Sequence, residues 1–328
     1  MPPTLPLSSA PKNICLLRLS AIGDVTHVLP IVRTLQQYWP STKITWVIGR
    51  LEHQLVGDID NVEFIVFDKA IGWQAYYTLR QQLRNRSFDI LLHMQVSMRA
   101  NIASLFIKAP IKLGFDKKRA KDYQWLFSNA RIAAVERQHV LDGFFQFILA
   151  IGVNDKVLRW DIPITENDKQ WAMSVIGDRS VLVINPSSSQ RLNNWRNWSA
   201  KNYAQIAQYA IQQYGVMVVL TGGPAQGEVA LAEEILAVTS GQPELSKCIS
   251  NLVGKTSLKQ LAALMQQAKV VIAPDTGPAH IANAMNAPVI GLYVTSNPQR
   301  TGPYRSQDLT VNEYPTALLK YEGLGEEA

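Results

Sequence analysis

The sequence predicts an α/β protein made of two doubly wound, parallel-sheet domains. Three observations point there. Short continuous apolar runs such as "ICLL" (14–17) and "VVIA" (270–273) read as strands buried on both faces. Amphipathic stretches of helical period separate them, the alternation expected when helices cover both sides of a parallel sheet. The pattern breaks once, in the polar stretch "RWDIPITENDKQ" (159–170), and then begins again. A chain of 328 residues with 47% hydrophobic content suits two such cores better than one.

In order, the first series is "ICLLRL", a helix over 24–39, "ITWVI", "EFIVF", a helix over 74–86, "FDILLHM", a helix over 97–107 and "IKLGF". The second runs "VLVINP", a helix over 200–214, "VMVVLTGG", a helix near 228–238, and "LVG". It continues with a helix over 258–267, "VVIAPD", a helix over 278–285 and "PVIGLY". Pro163, Asp161, Thr165 and Asn167 break the period between them, so domains are expected at 13–165 and 166–328, facing each other across a cleft. The Pro-rich "MPPTLPLSSAP" lacks a basic start and a long apolar core, and reads as a disordered tail over 1–12 rather than a signal peptide.

Cys15 and Cys248 each lie in an apolar run without a CxxC or Cys/His partner, so they read as reduced thiols and no metal site is expected. No run approaches the roughly 20 apolar residues of a membrane span, and a cytoplasmic location follows as the expectation. The net charge of +6 favours anionic partners without choosing among them. No nucleophile elbow, HExxH or GxGxxG is present, which disfavours hydrolases, zinc proteases and dinucleotide-dependent dehydrogenases.

In open α/β sheets, ligands bind beyond the carboxyl ends of the strands. Four such places stand out. In "APDTGPAH", Asp275 ends a strand, Thr276 suits an N-cap and Pro278 the first turn. Gly277 permits close approach there, and His280 is a donor to an anion on the helix start. In "NPSSSQRLNNWRNW", Ser187, Ser188 and Ser189 supply hydroxyls, and Arg191 and Arg196 guanidinium forks suited to a diphosphate, above packed Trp195 and Trp198. "LTGGPAQGE" is Gly-rich, with Glu228 a candidate for a ribose. In "RLSAIGDVTHVLP", Asp24 reads either as a helix N-cap or as a general base, and His27 as packed or open. Asp58 and Asp60 have Asp-x-Asp spacing, but in "GDIDN" they read as a turn before a strand. The stretch 108–137 is rich in Lys and Arg, with Tyr123, Trp125 and Phe127 interleaved. It reads as a solvated face or as a grip on an anionic acceptor at a membrane surface; no nucleic-acid module accompanies it.

Together, "RLSAIGDVTHVLP", the "WSAKNYAQIA" stretch from Trp198, "TGGPAQGE" and "APDTGPAHIANAMNAPVIGLY" resemble the family of bacterial ADP-heptose:lipopolysaccharide heptosyltransferases, glycosyltransferase family 9. The likeness runs in order from about Ile14 to Tyr304, and "FDILLHMQVSMRANIASLF" is most similar to the heptosyltransferase I branch. It implies a GT-B fold and inverting, metal-independent transfer of heptose from ADP-heptose to the inner core of lipopolysaccharide, with no cofactor. It also implies acceptor binding by the first domain and donor binding by the second. Carried over by position, Asp24 is the catalytic base. Ser187, Ser188, Arg196, Glu228, Asp275, Thr276, Gly277 and His280 are donor contacts, and Arg18, Ser20, His27, Lys118 and Arg119 acceptor contacts. Family members usually carry a Lys shortly before the Trp, where this chain has Arg196. A sister transferase with another nucleotide sugar, and a non-catalytic nucleotide-sugar binder, are the alternatives.

Overall fold

The computed structural model describes residues 4–188, 196–241 and 243–322. The chain divides into two compact units, Met1–Pro163 and Ile164–Ala328.

Unit 1 contains β1 (Asn13–Leu17), α1 (Ile22–Tyr38), β2 (Lys43–Gly49), α2 (Arg50–Val56), β3 (Val62–Phe67), α3 (Gln74–Leu83), β4 (Ile90–His93), α4 (Met98–Ser104), β5 (Ile111–Gly114), β6 (Ala130–Arg131) and α5 (Val140–Ala150). Its sheet is parallel, in the order β3-β2-β1-β4-β5-β6. Unit 2 contains α6 (Glu166–Ile176), β7 (Val181–Ile184), α7 (Ala200–Tyr214), β8 (Met217–Leu220), α8 (Gln226–Thr239), α9 (Pro243–Ser246), β9 (Ile249–Asn251) and α10 (Leu258–Gln267). It ends with β10 (Val270–Pro274), α11 (Gly277–Ala284), β11 (Val289–Tyr293), α12 (Pro298–Thr301), β12 (Val311–Asn312) and α13 (Tyr314–Glu322). The same winding gives a second parallel sheet, β12-β11-β10-β7-β8-β9.

Each order reverses once, between β1 and β4 in unit 1 and between β7 and β10 in unit 2. A crevice opens at such a switch point because the two connections leave it on opposite faces. The strands fit their burial: Ile14, Cys15, Leu16 and Leu17 of β1 and Val181, Val183 and Ile184 of β7 are fully or almost fully enclosed. Burial also pushes the Cys15 thiol far above its ordinary range, so it stays protonated and inert.

The elements depart from the sequence reading in four places. Helix α1 starts at Ile22, with Ala21 as N-cap, so Asp24 is the third helical residue and not the cap. Helix α2 is only 7 residues long, and α5 ("VLDGFFQFILA") is a further helix that the sequence pattern had not been read for. The expected loose tail is instead tied down from Leu7. Leu7 N–H donates to Ile151 O at 3.3 Å, Lys12 N–H to Asp89 Oδ2 at 2.6 Å, and Thr42 Oγ1 to Pro11 O at 2.7 Å.

A buried amide fastens the strand ends of unit 1. Gln124 is fully enclosed; its Nε2 donates to the carbonyls of His93 (2.9 Å) and Gln95 (3.0 Å), while Oε1 accepts from Phe115 N–H (2.9 Å). Gln95 passes the constraint on: its Oε1 accepts from Leu19 N–H at 2.6 Å and its Nε2 donates to Ser20 Oγ at 3.2 Å. Gln124→Ala strands these buried backbone groups, and is expected to cost about 2–4 kcal/mol in urea unfolding.

Burial holds the His93 imidazole down at about 3. A histidine of the unfolded chain titrates near 6.5, so its contribution to stability is complete above that pH and is lost as pH falls toward 3, by up to about 1.4 kcal/mol per pH unit. Buried Glu52 acts in the opposite sense, its carboxyl raised by desolvation. Comparing unfolding midpoints of the wild type and His93→Asn at about pH 7 and about pH 5 isolates the histidine. The variant is expected to show the shallower pH slope.

Candidate active site

In unit 1 the site is the turn from β1 into α1. Arg18 leaves the strand end almost buried: its N–H donates to Val47 O (3.2 Å), and its carbonyl accepts from Trp46 Nε1 (3.1 Å). Its guanidinium donates through Nη1 to Met94 O (2.6 Å), lies 5.3 Å from the Phe144 ring centroid, and pairs through Nη2 with Asp24 Oδ2. Ala21 N–H donates to the same Oδ2 at 3.4 Å. One carboxylate oxygen is therefore spent on orientation. Asp24 keeps a third of its side chain exposed, and among the described residues Oδ1 accepts no hydrogen bond. A carboxylate fixed through one oxygen and open at the other is suited to take a proton from a bound hydroxyl.

Of the other acceptor candidates, Ser20 is half-buried beside Asp24 and held by Gln95. His27 is buried, its ring edge-on to His139 at 5.3 Å between centroids, which favours the packed reading over the open one. Lys118 and Arg119 lie on the loop after β5. Lys118 pairs with Glu136 at 2.5 Å, which raises its ammonium above the usual range, and Arg119 pairs with Asp116 and donates to Ala133 O at 3.1 Å. Asp58 and Asp60 sit in the turn between α2 and β3, and no cluster of three metal-ligating side chains occurs among the described residues.

In unit 2 three strand-end loops meet. After β7, Ser187 and Ser188 are buried; Ser187 Oγ donates to Glu228 Oε2 at 3.0 Å, and Ser188 N–H to Asn197 Oδ1 at 2.9 Å. After β8, Gly223 N–H donates to the same Glu228 oxygen at 2.7 Å, so this carboxylate ties the Gly-rich turn to the serine loop. After β10, Asp275 accepts from Arg196: Nη1 reaches its carbonyl at 3.2 Å and Nη2 its Oδ2 at 3.5 Å. Thr276 is the N-cap of α11 but its hydroxyl caps no backbone N–H, Pro278 lies in the first turn, and His280 is buried one turn in. The positive end of the α11 dipole and the adjacent Arg196 guanidinium are together suited to an anion. Ser189, Arg191 and Trp195 lie outside the described residues.

Sequence reasoning missed Gln95, Gln124, Asn185 and Asn197. Asn185, almost fully buried, donates through Nδ2 to Ser187 O at 2.7 Å and shapes the serine loop. Amides carry no spacing signature; Gln95 and Asn185 are marked only by standing just beyond a strand, and Gln124 and Asn197 not even by that.

Two such parallel six-stranded sheets, each with polar loops at its switch point, are the architecture of the GT-B fold. The chain belongs to glycosyltransferase family 9 (heptosyltransferase), whose family model matches residues 76–321. It is 42% identical over 317 residues to the lipopolysaccharide core heptosyltransferase OpsX of Haemophilus influenzae, covering 96% of this chain and 88% of that one. Identity to lipopolysaccharide heptosyltransferase 3 of Escherichia coli is 24%, over 83% of this chain and 79% of the other. Among solved structures, a family 9 glycosyltransferase from Veillonella parvula superposes with a TM-score of 0.76 at 24% identity, over 96% and 91% of the chains. The E. coli heptosyltransferase WaaC with ADP gives 0.71 at 20%, over 92% of each chain.

Ser187→Ala removes one of the two donors to Glu228 Oε2 among the described residues, and is expected to lower stability by about 1–2 kcal/mol in thermal or urea unfolding. Gly223→Ala places a Cβ 2.9 Å from Glu228 Oε1 and is expected to be destabilising as well. In a Glu228→Ala background both penalties should largely disappear, a non-additivity that a double-mutant cycle measures.

Proposed function

We propose that this protein transfers heptose from ADP-heptose to the inner core of lipopolysaccharide, with inversion and without a metal ion. The observation that carries the substrate assignment is the 42% identity, across 96% of the chain, to a lipopolysaccharide core heptosyltransferase. Residues 13–165 are assigned to the acceptor and 166–328 to the donor. Asp24 Oδ1 accepts the proton of the acceptor hydroxyl as its oxygen forms a bond to the anomeric carbon, and the bond from that carbon to the diphosphate breaks. Attack from the face opposite the leaving group inverts the centre. Arg196, the loop of Ser187 and Ser188, the Thr276–Gly277 start of α11 and His280 receive the charge of departing ADP, and fixed dipoles of this kind need no reorganisation during the reaction. Glu228 is assigned to the ribose through Oε1, since Oε2 is held by Ser187 and Gly223.

Arg18 orients the base, and Ser20, Lys118 and Arg119 are assigned to the acceptor. A cytoplasmic location with contact to the inner face of the inner membrane completes the reading. It is supported by the exposed cations of 108–137; no helix among the described residues is long and apolar enough to cross a membrane. Arg196, engaged with Asp275, keeps a second donor in view: another nucleotide sugar on a related acceptor. Melting-temperature shifts with ADP, UDP and GDP discriminate, and ADP is expected to stabilise most.

The direct test is ADP release from ADP-heptose and a heptose-deficient lipopolysaccharide in EDTA. Asp24→Asn is expected to lower kcat by about 10²–10⁴-fold while ADP affinity stays unchanged. Full activity of the variant removes Asp24 as the base, and loss of all activity in EDTA removes the metal-free mechanism.

A further inference from the structure

The loop between β5 and β6 keeps large apolar side chains in water at some cost. Tyr123, Trp125 and Leu126 are 62%, 47% and 62% exposed, and Met98 at the start of α4 is 41% exposed. Asp122 and Tyr123 both have left-handed backbones, φ 53° and 59°, which non-glycine residues adopt only when their surroundings impose it. The surroundings do so here. Asn101 Nδ2 donates to Asp122 O at 2.6 Å, Met98 N–H to Asp122 Oδ2 at 3.1 Å, and the next residue is the buried Gln124. Residues 124–126 form a 3₁₀ turn, in which Tyr123 and Leu126, three apart, share a face. With Gln124 drawn inward, the apolar side chains on either side of it are held outward.

The charge around this ridge leans positive. Asp122, though exposed, is engaged by Met98 N–H, Asp116 is buried with Arg119, and Glu136 is taken by Lys118. Lys117 and Lys121 are exposed and have no acidic partner among the described residues. Aromatic rings with a polar edge, an exposed leucine and flanking lysines match the headgroup region of an anionic bilayer. We propose that the 115–127 loop docks unit 1 on an anionic lipid surface, with Tyr123, Trp125 and Leu126 entering the interface and Lys117 and Lys121 on the headgroups. Gln124 joins this ridge to Gln95, and Gln95 to Ser20 beside Asp24, so the lipid-facing element and the candidate base share one hydrogen-bonded frame. The inference deepens, and rests on, the reading of the acceptor as a lipid-anchored glycan.

The test is co-sedimentation of the full chain with vesicles of phosphatidylcholine alone, or with added phosphatidylglycerol, containing no glycolipid. Wild type is expected to bind the anionic vesicles preferentially. Tyr123→Ser/Trp125→Ser/Leu126→Ser should reduce partitioning by about tenfold or more, and Lys117→Glu and Lys121→Glu by at least roughly fivefold each. All variants should keep the wild-type melting temperature and turnover of a soluble, deacylated acceptor. If the triple variant loses its fold, Trp125→Phe supplies the reading: brominated lipid should quench the wild type, and the variant should lose that part of the quenching. Equal partitioning of wild type and variants overturns the proposal, as does a patch that sedimentation equilibrium shows to hold two copies together without affecting vesicle binding. Inactivity on the soluble acceptor with vesicle binding intact would refute the transferase reading and leave the docking surface standing.

Discussion

Every strand pairing recorded in either sheet is parallel, and this constraint organises the rest. Parallel strands bring all their carboxyl ends to one edge, and each helix that follows presents its N-terminus there. The loops at 18–24 and 94–97 in unit 1, and at 185–188, 221–228 and 275–277 in unit 2, are neighbours because the winding leaves them nowhere else to be. Residues remote in sequence, such as Ser187 and Glu228, come to share a hydrogen bond without any motif linking them.

Within that frame the two units use polar groups differently. In unit 1 most are spent on rigidity: Gln124 and Gln95 join successive strand ends, and Arg18 is held by a carbonyl, an aromatic face and Asp24. In unit 2 more capacity is left for a ligand, since Thr276 does not cap its helix and the serine and Gly-rich loops converge on one carboxylate. A base needs a defined direction, whereas a leaving diphosphate needs many donors, and the two arrangements match those needs.

The strands were readable in the sequence because burial on both faces makes them continuously apolar, and the longer helices because one exposed face preserves their period. Helix α5 carries the helical spacing in Leu141, Phe144, Phe145 and Ile148 and was readable, but the sequence reading did not take it up. The motif residues around Asp275 and Asp24 were visible through turn chemistry and family likeness. Their partners were not: that Asp24 stands three residues past an alanine N-cap, or that Glu228 is held by Ser187, depends on how the fold is built around them. His27 shows the limit from the other side, since its place one turn beyond Asp24 suited a ligand contact as well as the core contact it makes.

Helix α1 carries one more consequence. From Val25 to Leu35 every residue is buried, so the element that begins beside Asp24 is sunk in the core along most of its length. Val25 N–H, donating to Ala21 O at 2.9 Å, lies directly behind the carboxylate. Amide protons so placed exchange with solvent only when the surrounding domain opens as a whole. Asp24 is therefore anchored to a helix whose next eleven residues are all buried, so its backbone is set by the core rather than by a loop.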